Sequence, residues 1–272
     1  METLIFAAMS QATGPGLVEL HREDHLSEIV LNRPGQLNAI SSAMAREITA
    51  AALEIAGDRD VRAVVVSSAS ERAFCCGADL KERNSFSDAE FMAQRPLIRA
   101  MFDAIRALPV ATIAAVSGFA LGGGFEIALS CDLIVADPTA VLALPEVSVG
   151  LVPGGGGTQL LQRRTSPATA SDLILTGRRV EIDEAVRLGL VDRRARVGEA
   201  RAEALALARQ IAANSPVATR AAKRALRLGA GCALDEGLEL EHAAWQEAAS
   251  SPDRREGIAA FVNKRKPEWP SN

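Results

Sequence analysis

Hydrophobic positions along this chain switch repeatedly between two periods. Leu17–Leu20 and Leu26–Leu31 flank a polar Glu23-Asp24 turn, and the alternation of Leu26, Glu28 and Val30 predicts the second strand of a hairpin. The spacing then turns helical: Met44, Ile48, Ala51, Ala52 and Ile55 share one face between a cap at Ser41 or Ser42 and a stop at Gly57. Val61–Val66 predicts a buried strand and Ser67–Ser70 a loop. Ser87-Asp88-Ala89-Glu90 has the form of a capping box, and Phe91, Ile98, Met101, Phe102 and Ile105 carry a long amphipathic helix that Pro109 ends. Strand Val110–Val116, a glycine turn, a short helix Gly123–Ser130 and strands Leu133–Ala136 and Val141–Leu144 continue an alternation that reads as α/β.

From about Thr158 the strand signal fades. Helical spacing runs through Thr158–Arg163, Pro167–Leu175, Ile182–Leu188, Val197–Ala213, Pro216–Leu228 and Leu234–Ala249, with a last helix after the Ser251-Pro252-Asp253 cap. The organisation expected is a poorly ordered N-terminal extension over residues 1–16, a core domain over 17–200 and a helical C-terminal region over 201–272. The apolar run Leu4–Met9 follows Glu2 rather than basic residues and is short for a signal-peptide core, which leaves Met9 as an alternative start. Ala107–Phe125 is uncharged over 19 residues, the length of a membrane span, but Pro109, Gly118 and Gly122-Gly123-Gly124 suit a strand, a turn and a helix start. A soluble, cytoplasmic protein is expected.

Composition narrows the chemistry. The 272 residues are 48% hydrophobic but only 4% aromatic, with no Tyr, 21 Gly and a net charge of −4, which excludes a disordered chain and supplies no field for a nucleic acid. Small side chains let backbones approach closely, so backbone groups are expected to carry much of the recognition. Four cysteines without a CxxC pair form neither a disulfide framework nor a zinc site. His21, His25 and His242 lie outside every glycine-rich segment and read as surface or packing residues. Glu146-Val147-Ser148-Val149-Gly150 lacks the first glycine of a nucleophile elbow, and the glycine runs at 122–124 and 154–157 lack the third glycine of a dinucleotide fingerprint.

Three loops of small residues with one or two acids remain: Ala73–Lys81, Ser117–Glu126, and Leu144–Gly150 continuing through Pro153–Gly157. Glycines before a short helix open backbone N–H groups to a ligand at the positive end of the helix dipole; tight helix–strand packing is the alternative. Glu126 sits in the apolar stretch Phe125–Leu129, so its carboxyl is expected to be buried with a raised pKa, unless an arginine pairs with it. Glu146 follows Pro145 in a loop.

Taken in order, Asn32-Arg33-Pro34, Leu37-Asn38-Ala39, Ala73–Leu80, Gly118–Gly124, Cys131-Asp132, Leu144-Pro145-Glu146, Pro153–Gln159 and Asp253–Gly257 resemble the crotonase, or enoyl-CoA hydratase/isomerase, family over about Leu17–Arg265. The resemblance implies an α/β fold, a crotonase (ClpP-like) spiral of ββα units with a C-terminal helical trimerisation region. It implies an acyl-CoA thioester whose carbonyl is held by the backbone N–H groups of Ala78 and Gly123, with Cys76, Ala78, Asp79, Leu80, Lys81 and Gly123 as the substrate-binding stretch. Glycines at 154–157 are expected to keep further amides open. Phe261 and Lys264, in the family's C-terminal helix, are expected to reach a neighbour's acyl-CoA in a homotrimer or hexamer.

Glutamates at both acidic positions, Glu126 and Glu146, resemble the hydratases of the family. The reaction implied is reversible hydration of trans-2-enoyl-CoA, with Glu126 deprotonating water and Glu146 handling the α-proton; which carboxyl holds the proton at rest is left open, because a close pair titrates as a unit. A double-bond isomerase, a specialised acyl-CoA hydratase and a non-catalytic acyl-CoA-binding scaffold are the alternatives. No metal or redox cofactor is expected, coenzyme A being part of the substrate. The acyl pocket is expected along the helix around Phe86–Phe102.

Overall fold

The computed structural model describes residues 16–270, so the readings of residues 1–15 as a poorly ordered extension and of Met9 as an alternative start lie outside the described residues. The chain opens with the antiparallel pair β1 (Val18–Glu23) and β2 (Leu26–Leu31). α1 (Ser42–Gly57) follows, Ser41 being the residue that caps it by accepting from the Met44 amide. A unit of long strand, short strand and helix then recurs. It runs as β3 (Ala63–Ser68) and β4 (Ala73–Cys75) with α2 (Leu80–Asn84) and α3 (Asp88–Ala107), then β5 (Ala111–Val116) and β6 (Phe119–Leu121) with α4 (Gly123–Ser130). A third copy, β7 (Leu133–Ala136) and β8 (Val141–Ala143), leads through a 3₁₀ turn at Glu146–Val149 to α5 (Gly157–Arg164). After α6 (Pro167–Thr176) come β9 (Val180–Glu181), α7 (Ile182–Arg187) and β10 (Arg193–Arg194), then the helices α8 (Ala200–Ala212), α9 (Pro216–Gly229), α10 (Leu234–Ser250) and α11 (Pro252–Val262).

Long and short strands build separate sheets. The larger has the order β1-β2-β3-β5-β7-β10, parallel from β2 onward, and the smaller has β4-β6-β8-β9, parallel except at β9. Each unit adds one strand to both sheets before its helix returns the chain, so the fold advances as a spiral. Both faces of the larger sheet are buried. Val64, Val66, Ala114 and Val116 point into the main core with Phe74, Phe102 and Phe125, whereas Ala63, Val65, Ile113, Ala115 and Val135 point to a second cluster closed by Ala200, Ala204, Leu207, Ala208 and Ala212 of α8. Burial on two sides is why these strands appear in sequence as unbroken apolar runs.

Several expectations shift. The strand expected at Val61–Val66 begins at Ala63 and continues through Ser67 and Ser68, because their hydroxyls are used internally: Ser67 Oγ donates to Glu28 Oε1 at 2.6 Å, and Arg201 of α8 holds the same carboxylate at 2.6 Å. The stretches taken as loops contain β4, β6 and the start of α2, and the region beyond Thr158 contains the two-residue strands β9 and β10. α8, assigned by position to the C-terminal region, is the cover of the larger sheet. The uncharged run Ala107–Phe125 divides into the end of α3, β5, β6 and the start of α4, and among the described residues no helix is long and apolar enough to cross a membrane.

Candidate active site

Two tight turns create the floor of the site. β4 ends at Cys75 and the chain reverses through Gly77 at φ 90°, while β6 runs into α4 through Gly122 at φ 51°. These turns are pressed together. A β-carbon on Gly124 would lie 2.0 Å from the Cys75 carbonyl oxygen, and one on Gly77 would lie 2.8 Å from the Leu121 carbonyl oxygen and 3.2 Å from the Gly123 nitrogen. Only glycine permits this approach.

The first turn is fixed by residues far away in sequence. Ile40 forms a parallel bridge with Ala78: its N–H donates to Gly77 O at 2.7 Å and its carbonyl accepts from Asp79 N at 3.0 Å. In a parallel ladder the bonds go to the neighbours flanking the partner, so the Ala78 N–H is left pointing away from Ile40. Gly123 is the first residue of α4, and its N–H is one of the donors a helix start leaves unpaired. Both residues line one cavity of about 700 Å³. Asn38, fully buried at φ 54°, secures the turn by accepting from the Arg33 amide at 2.7 Å and donating to Ser68 Oγ at 2.7 Å and Phe74 O at 2.9 Å.

The two glutamates face the same cavity with different surroundings. Glu126 lies one turn into α4 and is 3% exposed; its Oε1 accepts the Gly155 amide at 2.6 Å and the Gly157 amide at 2.8 Å. The amides at 154–157 expected to be open to a ligand are therefore partly spent on Glu126, and no arginine pairs with that carboxyl among the described residues. Arg95 donates to Gly154 O at 2.6 Å, the far end of the same peptide group whose N–H serves Glu126, and Arg106 donates to Gly155 O at 2.5 Å. Burial raises the Glu126 pKa, opposed by the Gly157 and Gly155 amides and by the charge of Arg95. Glu146 opens the 3₁₀ turn after Pro145 and packs over Gly122, where a β-carbon would come within 3.0 Å of its Oε1. Its Oε2 is buried without a hydrogen-bond partner among the described residues. Burial, with the nearby Glu126 charge, pushes its pKa up to about 7.

Cys76, Ala78, Leu80, Gly123, Glu126 and Glu146 thus meet in one cavity. Asp79 does not join them: its carboxylate caps α2, accepting from Lys81 N at 3.0 Å and Glu82 N at 3.1 Å, and pairs with Arg33 Nη1 at 2.6 Å. Lys81 is exposed and outside the cavity lining, as are Phe261, 86% exposed on α11, and Lys264 just beyond it. Thiol burial raises the Cys76 pKa, which disfavours a thiolate there.

Arg83, Arg95, Arg99, Asp103 and Arg106 also line the cavity, beside the expected apolar residues Phe91, Ile98 and Phe102 of α3. Nothing in the loop motifs indicated them. The helical spacing of 95, 99, 103 and 106, adjoining the apolar stripe, was the available signal.

The family model described as enoyl-CoA hydratase/isomerase matches residues 21–272. The chain belongs to that family. It is 38% identical over 251 residues to a short-chain-enoyl-CoA hydratase of Clostridium acetobutylicum, covering 92% of this chain and 96% of the relative. Identity to the mitochondrial human enoyl-CoA hydratase domain-containing protein 2 is 41% over 248 residues, covering 90% and 85%. The crystal structure of an enoyl-CoA hydratase from Bacillus anthracis superposes with a TM-score of 0.90 at 37% identity, covering 93% of this chain and 98% of that one. The fold is the crotonase fold, with helices closing its C-terminal end.

Proposed function

We propose that this protein hydrates trans-2-enoyl-CoA thioesters reversibly to 3-hydroxyacyl-CoA. The observation that supports the reading is a pair of carboxyls, both raised by burial but differently hydrogen-bonded, in one cavity with two backbone amides that have no partner among the described residues. Of the two, Glu126, with two amides on one oxygen, is the better furnished to carry charge, and Glu146, with a buried oxygen that has no partner among the described residues, is the better furnished to hold a proton.

The thioester oxygen is placed between the N–H groups of Ala78 and Gly123. Glu126 takes a proton from water as the water oxygen bonds to C3. The π pair moves toward the carbonyl, whose growing negative charge the two amides stabilise by about 3 kcal/mol per donor. Glu146 then delivers its proton to C2, so that one water has been added across the double bond. Glu126 ends protonated and Glu146 ionised, and exchange with solvent restores both. A homotrimer or hexamer, with Phe261 and Lys264 approaching a neighbour's substrate, belongs to the same proposal, which the exposed position of Phe261 supports.

The test follows loss of the conjugated enoyl-thioester absorbance with the wild type, Glu126→Gln and Glu146→Gln. Each variant is expected to lose roughly 10²- to 10⁴-fold in kcat. Wild-type turnover in either variant removes the role given to that residue, a product with a displaced double bond identifies an isomerase, and tight binding of CoA esters without turnover identifies a scaffold.

A further inference from the structure

Arg83, on the last turn of α2, lines the cavity beside Phe91, Gln94 and Arg95 of α3. Its guanidinium is held at two points. Nε donates to Gln94 Oε1 at 3.0 Å, and the guanidinium carbon lies 5.4 Å from the Phe91 ring centroid. Gln94 is itself fixed, donating to Ser42 Oγ at 2.8 Å and Glu82 Oε2 at 3.1 Å.

What this guanidinium lacks is a carboxylate. Arg99 and Arg106 share Asp103, at 3.5 and 2.5 Å, and Arg95 rests on the Gly154 carbonyl. Arg83 forms no ion pair among the described residues, and its two Nη groups have no hydrogen-bond acceptor there. The two glutamates of the cavity do not supply one: Glu126 is occupied by amides, and Glu146 stays outside ion-pair distance. Burial, and then the charge of Arg95, lower the Arg83 pKa, so the cation sits where an arriving anion relieves a cost. The same cavity is also lined by the apolar Met92, Ile98, Phe102 and Val152.

We propose that the acyl group taken by this cavity carries a second carboxylate, received by the free Nη edge of Arg83, so that the preferred substrate is the monothioester of an unsaturated dicarboxylic acid. This rests on the reading of the site as an enoyl-CoA hydratase. A planar guanidinium with Nε already fixed presents its two Nη groups to one carboxylate. The phosphates of coenzyme A offer the same anionic chemistry, and the experiment separates the two sources.

Crotonyl-CoA and glutaconyl-CoA share one acyl chain and differ by a carboxylate on its terminal carbon. The kcat/KM for each is measured with the wild type, Arg83→Gln and Arg83→Lys. The wild type is expected to favour glutaconyl-CoA. Arg83→Gln should lower the glutaconyl-to-crotonyl ratio roughly 10- to 100-fold, mainly through KM, the scale of a lost charge-assisted hydrogen bond, and Arg83→Lys should restore part of it. Equal losses on both esters overturn the proposal and assign Arg83 to a phosphate; a wild-type preference for crotonyl-CoA overturns it outright. Hydration of neither ester removes the hydratase reading, and calorimetric titration then decides the inference: an Arg83-dependent preference for binding glutaconyl-CoA sustains it, and indifference overturns it.

Discussion

Replacing Glu146 by Gln should stabilise the protein at alkaline pH while removing its activity. In the folded protein this carboxyl titrates at about 7 instead of its ordinary 4.5, because burial and the Glu126 charge disfavour its ionised form. An unfolded chain releases the proton near the ordinary value. The contribution of the protonated carboxyl is therefore fully present below 4.5 and is lost as pH rises through about 7. At roughly 1.4 kcal/mol per pKa unit the shift amounts to about 3 kcal/mol, and partial access of the side chain to water reduces this to about 2 kcal/mol. Glutamine keeps the shape and cannot ionise. Urea unfolding at about pH 5 and about pH 8, at one fixed protein concentration so that assembly does not enter the comparison, should show the difference in stability moving by about 2 kcal/mol in favour of Glu146→Gln across that interval. Parallel losses in the two proteins would refute the raised pKa. The proposed reaction gives the same sign: it needs a protonated Glu146, so kcat/KM should fall above about pH 7 in the wild type.

Gly124→Ala places a β-carbon 2.0 Å from the Cys75 carbonyl oxygen, so it should cost about 3 kcal/mol or prevent folding, whereas Gly35→Ala, with nothing within 4 Å, should change stability by less than about 0.5 kcal/mol; similar thermal melts for the two would sink the account of the paired turns. Asp79→Ala should cost about 1 to 2 kcal/mol through loss of the α2 cap, and Asp79→Asn should retain most of that, asparagine being a good cap; equal losses in thermal melts would count against the capping role.

The helices and long strands were legible because their signals are local. The short helix Gly123–Ser130 and the capping box at Ser87 need only a few neighbouring residues to be recognised, and the structure holds both. β4 and β6 are different. With three residues each there is no period to detect, and their strand character exists only because Ala73 and Cys75 meet Phe119 and Ala120 across a long connection. The site divides in the same way. A glutamate inside Phe125–Leu129 marks itself as unusual, but the amides that donate to it come from Gly155 and Gly157, 29 and 31 positions later. Asp79 divides the other way. Its place beside Ala78 suggested contact with a ligand, yet a carboxylate at a helix start has nearer amides to satisfy.

The scarcity of aromatic side chains, with no Tyr, has a structural counterpart in the way the two proposed carbonyl donors arise. Neither is a side chain. The Ala78 N–H is left over because Ile40 bonds to the residues on either side of it, and the Gly123 N–H is left over because a helix start has no preceding turn. Among single substitutions only proline, which has no backbone N–H, deletes such a donor outright. Their vulnerability lies in the neighbours that fix the angle between the two turns: Gly124 against Cys75, Gly77 against Leu121, and Asn38 beneath the first turn. None of these positions carries a proton in the proposed reaction. Misplacing the turns should nevertheless depress turnover, because preformed donors stabilise developing charge only when they already stand where the oxygen will be.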